Sequence, residues 1–340
     1  MRSMSAVAPP PTSELDHTPA PLAMPALSRL LADLLPESRG TEGEAPLDLP
    51  ADKTQPPRLI SAAIIEGHQL RARRIVDPPV IGFAAFLDGT QETQVSRYVA
   101  GGIPIVVGTV GAVIRDRRNQ RMFTWRRFVA RRVYAPRAHL SPDAWRRLAT
   151  LTPPPVDTTD GDADEPLAHP LALREAAVHR VQEERQLAEQ RLARKWCELE
   201  TRPLLVDGGI SGADTVARAA CAVGVVKSHR TLYAQGDALT TVLSLERAHR
   251  SSVFRVTSPK RTNVASWYLR MRDPRGHEPM WGLVRVEVAE PQPGEDVSAR
   301  ADLVSRWILA EAAPLSLPDA RWDKMVYGVR DCEVFLRATR

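Results

Sequence analysis

Long hydrophobic runs are missing from this sequence of 340 residues. None could span a bilayer, and the N-terminal stretch lacks the apolar segment of a signal peptide. A cytoplasmic protein with no membrane partner is therefore expected. Cysteine is scarce: Cys197, Cys221 and Cys332 show no CxxC spacing and no histidines clustered beside them. Such a set argues against a zinc site or a disulfide framework and for reduced thiols. No GxxxxGK[ST] occurs, which excludes a P-loop ATPase. No internal repeat of solenoid period is present either. Aromatic residues make up only 5% and prolines number 29, so much of the chain is expected outside a core. The 43% hydrophobic content still supports a real one, and the formal charge of +5 is a mild basic bias.

Residues 1–56 are rich in Pro, Ala, Ser and Thr and are expected to be largely disordered. One island interrupts them near 25–36, where Leu27, Leu30, Leu31, Leu34 and Leu35 fall on one face of a short helix. That face either packs back on its own domain or docks a partner protein. Residues 57–340 then form one folded domain. Within it, 151–166 (LTPPPVDTTDGDADEP) is an exposed acidic, Pro-rich loop, and 170–200 has the spacing of a long helix. That helix brings Leu171, Val178, Val181, Leu187, Leu192, Trp196 and Leu199 to one stripe.

Two apolar runs each end in an aspartate followed by glycine. Residues 80–87 lead into Asp88-Gly89-Thr90, and Leu204-Leu205-Val206 lead into Asp207-Gly208-Gly209. Each reads as a buried strand delivering one carboxylate to the sheet edge. Strands are expected next at 94–99 and 103–114, with a helix or helix-strand lead-in over 59–76 before them. After Asp207, helices are expected at 214–225, 236–250 and 297–312, strands at 253–256, 266–272 and 281–289, and a helix at the C-terminus. The fold class is α/β, a mixed sheet flanked by helices.

Paired carboxylates on adjacent strands make an oxygen-rich pocket for hard cations such as Mn²⁺ or Mg²⁺. Ions held there against a scissile phosphate support phosphodiester hydrolysis. The window Arg115–Arg137 interleaves Phe123, Trp125, Phe128 and Tyr134 with arginines, among them Arg126, Arg127, Arg131 and Arg132. It suits either a nucleic-acid surface or a charged edge hairpin that resists aggregation. A dehalogenase-type phosphatase is discarded, because Phe86 stands where its nucleophile would be. An actin-like ATPase, with Asp88-Gly89-Thr90 as its first phosphate loop, stays as a minor alternative.

The segments FAAFLDGTQ (83–91), LLVDGGISG (204–212) and AVGVVKSH (222–229), with Leu317-Pro318 before the last helix, resemble the NurA family of DNA-end-processing nucleases. The resemblance implies an RNase H-like fold in which 151–200 is a loop and long helical insertion. It also implies Mn²⁺-dependent endo- and exonuclease activity, a homodimer around DNA, and a HerA-type hexameric ATPase as partner, in repair or phage defence. Asp88 and Asp207 match the family's metal-binding aspartates, and Lys227 matches a lysine suited to a DNA phosphate. For the acid between them Glu92 is nearest and Asp116 a weaker choice; for the late ligand, Asp331 and Glu333 are the candidates. An alternative is a catalytically weak adaptor of the same fold that binds DNA or the translocase.

Overall fold

The computed structural model describes residues 21–40, 56–99, 102–159, 169–259, 261–312 and 326–339. Three long antiparallel strands form its spine: β1 (Ala85–Val99), β2 (Ile103–Arg118) and β3 (Arg121–Ala135). Two short strands follow, β4 (Leu204–Asp207) parallel to β1 and β5 (Ala222–Val226) parallel to β4. The order β3-β2-β1-β4-β5 is the RNase H-like arrangement. Antiparallel β7 (Leu283–Ala289) and β6 (Val264–Arg270) extend it beyond β5 within a 13-stranded sheet.

Helices cover both faces. The long helix α3 (Pro170–Leu199) lies on one, joined by the short α4 (Asp214–Ala217) and α5 (Asp237–Leu243). The other is covered by α6 (Val297–Glu311) and α7 (Tyr327–Ala338). At the far end of β1–β3, α1 (Met24–Leu34) and α2 (Pro142–Leu148) close a third core. The leucine face of α1 packs on its own domain, with Leu27, Leu31 and Leu35 buried and Leu30 exposed. Among the described residues no helix is long and apolar enough to cross a membrane.

Several boundaries differ from expectation. The helix or helix-strand lead-in over 59–76 is instead extended, with short strands at Ala63–Ile64 and Ala72–Arg74. Asp88-Gly89 does not end a strand; it lies inside β1, which runs unbroken to Val99. The reason is packing: a side chain at Gly89 would collide with Glu189 of α3, so this glycine marks a close approach rather than a turn. The arginine window is the end of β2 and all of β3, closed by a turn with Asn119 and Gln120 at positive φ. The helix expected over 214–225 stops at Ala217, because Val223, Val225 and Val226 favour the strand β5. Likewise 236–250 is helical only through Leu243 before the strand His249–Ser251. In α3 the buried stripe is made partly of alanines (Ala177, Ala188, Ala193), while Leu171, Leu187 and Leu199 are exposed. Small side chains let the helix sit low on the sheet. Residues 1–20 and 41–55 of the N-terminal stretch, 160–166 of the acidic loop, and Leu317-Pro318 lie outside the described residues.

Candidate metal centre

The parallel register sets Leu87 of β1 opposite Val206 of β4. One residue further on, Asp88 and Asp207 stand on neighbouring strands, more than a hundred positions apart in sequence. Strand alternation puts both on the face of Phe86 and Leu205, the side that α6 and α7 cover. Lys227, just past β5, reaches Asp207 with Nζ 2.7 Å from Oδ1. Asp88 accepts a hydrogen bond from the Gly89 N–H at 2.8 Å. It is nearly fully buried, and that burial, reinforced by the Asp207 charge, holds its carboxyl well above the usual carboxylate range, with Lys227 pulling the other way.

A third carboxylate approaches from the opposite face. Glu189 of α3 lies over Gly89 and pairs with Arg185, whose Nε also donates to Gln91 Oε1 at 3.1 Å. Burial pushes Glu189 up to about 7; Arg185 lowers it and Asp207 raises it further. Sequence reasoning missed this residue. It sits among many Glu and Arg residues of a helix that reads as a solvated face, and the only signal was the glycine beneath it. A cavity of about 220 Å³ opens between α3 and the turn after β4, lined in part by Arg185, Glu189, Gln190, Asp207, Gly209 and Arg261.

That turn is held from below. Glu287 of β7 is buried and accepts from the backbone N–H of Ile210 at 2.8 Å, while Arg285 Nη1 pairs with its other oxygen at 2.6 Å. Gly208 adopts φ +133°, a conformation that L side chains rarely take, so the chain can leave β4 at once after Asp207.

The remaining candidates are placed as follows. Glu92 is exposed on β1, four residues or about 13 Å of strand beyond Asp88. Asp116 is buried and held by two nitrogens of Arg202 at 2.8 and 3.2 Å and by Arg118 at 2.7 Å. Asp331 on α7 pairs with Arg115 Nε at 2.5 Å, and Glu333 faces Arg337 at 3.9 Å. In the arginine window, Arg132 pairs with Glu184 of α3 and Arg131 donates to Thr109 and to the Leu22 carbonyl. Arg126 lies over the Trp125 ring, 5.0 Å from its centroid. Arg127 is exposed and shares a cross-strand row with Val113 and Asp88, two strands or about 10 Å from the latter.

No family model and no curated protein matches the chain. Among solved structures it is similar to the NurA nuclease from Sulfolobus solfataricus, at 10% identity over 81% of each chain and a TM-score of 0.42. It is also similar to the catalytic domain of human Endonuclease V, at 16% identity over 93% of this chain and 96% of that one, with a TM-score of 0.29. At these scores neither likeness bears on what the chain does.

An all-oxygen donor set of this kind suits a hard cation such as Mn²⁺ or Mg²⁺. Asp88 and Asp207 fit that chemistry as a pair with Glu189 as their neighbour. Among the described residues no three or more His, Cys, Asp or Glu side chains form a ready metal-binding group. Lys227 and Arg185 each hold one of the three acids.

Proposed function

We propose that the chain is a metal-dependent deoxyribonuclease that hydrolyses phosphodiester bonds at DNA ends. One observation supports this above the rest: two aspartates remote in sequence stand side by side on β1 and β4, with the ammonium group of Lys227 on one of them. Asp88 and Asp207 would hold Mn²⁺ or Mg²⁺, with Glu189 as the third acid within electrostatic reach of both. A divalent ion held by Asp88 and Asp207 would supply a polarised water and offset charge on the phosphate. Lys227 pairs with a DNA phosphate near the pair, and Arg127 extends the cationic surface along the same row. A second copy of the chain and a HerA-type hexameric ATPase, in repair or phage defence, extend the proposal on the strength of the sequence resemblance.

The test is cleavage of linear duplex with Mn²⁺ by wild type, Asp88→Ala and Asp207→Ala. Loss of either carboxylate is expected to cost more than the roughly 10–100-fold typical of outer-shell partners. Equal cleavage by all three proteins would overturn the assignment. A second reading, a catalytically weak adaptor, is favoured by one observation: among the described residues no three His, Cys, Asp or Glu side chains converge into a metal-holding group. It expects DNA binding that falls steeply with salt and no metal-stimulated cleavage.

A further inference from the structure

Two of the three cysteines meet at the end of the sheet away from the aspartates. Cys197 lies in the last turn of α3, and Cys221 immediately precedes β5. Their Sγ atoms are 3.9 Å apart, and Cys221 Sγ also lies 3.8 Å from the Glu200 carbonyl. The topology makes this meeting necessary. The chain leaves α3, enters β4 at Leu204, and returns through α4 to start β5 beside Leu204, whose N–H donates to the Cys221 carbonyl at 2.8 Å. Both thiols are only half-buried, so a small oxidant can reach them, whereas Cys332 is sealed on the inner face of α7.

We propose that Cys197 and Cys221 form a peroxide-sensitive dithiol, a modification site that a hydroperoxide converts into an intrachain disulfide. Cys221 is the attacking group. Once it loses its proton, the S–H of Cys197 donates to the thiolate; this holds Cys221 down to about 7 and pushes Cys197 well up. The Cys221 thiolate attacks one peroxide oxygen, the O–O bond breaks, and a sulfenic acid and hydroxide result. The Cys197 sulfur then attacks the Cys221 sulfur and the S–O bond breaks. The departing hydroxide takes the Cys197 proton as water. Two thiols and one hydrogen peroxide thus give one disulfide and two waters. The bond would staple the end of α3 to the head of β5, the elements that carry Glu189 and lead to Lys227, without touching the carboxylates themselves.

The experiment treats the full chain with near-stoichiometric hydrogen peroxide, blocks remaining thiols under denaturing conditions, and maps tryptic peptides without reduction. Trypsin cuts after Lys195, Arg218 and Lys227 and so separates the two cysteines. The expected result is a linked pair of peptides, 196–218 joined to 219–227, with Cys332 the one thiol still blocked. Cys197→Ser should abolish the link and leave a sulfenic acid on Cys221 that dimedone traps. A persistent sulfenic acid with no linked peptide in the wild-type chain, or a link between two chains in its place, would overturn the proposal. The wild-type map needs no variant to fold.

Discussion

Glu287 offers the sharpest stability test, because it supports the turn after Asp207 without being a candidate ligand. Glu287→Ala removes the acceptor of the Ile210 N–H at 2.8 Å, a weaker contact from Ser211 at 3.4 Å, and the partner of Arg285 at 2.6 Å. Breaking a buried ion pair from one side costs about 3–5 kcal/mol, since the partner charge stays buried. Arg285 is 12% exposed, reaches the Ser266 hydroxyl at 3.3 Å and lies over the Tyr233 ring, so part of that cost is recovered. The expected loss is therefore about 3 kcal/mol, a large share of a typical domain's stability. Urea unfolding of wild type, Glu287→Ala, Arg285→Ala and the double variant measures it. The double variant should lose less than the two single losses added together. A Glu287→Ala loss within about 0.5 kcal/mol, the range of an ordinary surface change, would refute the reasoning.

Glu189 gives a pH-dependent signature. Its carboxyl rises from the ordinary 4.5 to about 7 in the folded chain, chiefly through burial. Below pH 4.5 it is protonated in folded and unfolded chains alike and costs nothing. The penalty grows as pH climbs toward 7 and levels off above it, reaching about 3 kcal/mol at most, given about 1.4 kcal/mol per pKa unit. In chelator, the stability of Glu189→Gln relative to wild type should therefore rise across that window; a flat difference would contradict it. Gly328→Ala tests how α7 is seated on β1. Its methyl would lie 2.2 Å from the Phe86 ring, and overpacking of this kind costs about 1–3 kcal/mol, read as a lowered denaturation midpoint.

The helices at 170–200, 297–312 and the C-terminus were legible because their periodicity is long, and so were the strands at 266–272 and 281–289. The two aspartates were legible for a different reason: each acid follows an apolar run that reads as a buried strand, and it is the fold that sets those two strands side by side. What misled was local chemistry that packing overrides. Asp-Gly-Thr reads as the end of a strand, yet Gly89 sits mid-strand with Glu189 lying over it. The arginines of β3 read as either a nucleic-acid surface or a charged edge hairpin, and the sequence does not show that Arg131 and Arg132 are held by neighbours brought close only by the fold. Glu189 itself was hidden, since nothing in a charged helix marks which glutamate turns inward.

The central claim is that Asp88 and Asp207 together grip a divalent ion. Calorimetric titration of Mn²⁺ into wild type, Asp88→Ala and Asp207→Ala measures this directly, apart from any cleavage. Saturable binding by wild type, abolished in both variants while their folds remain intact, is the expected result. Binding that survives either substitution unchanged would contradict it.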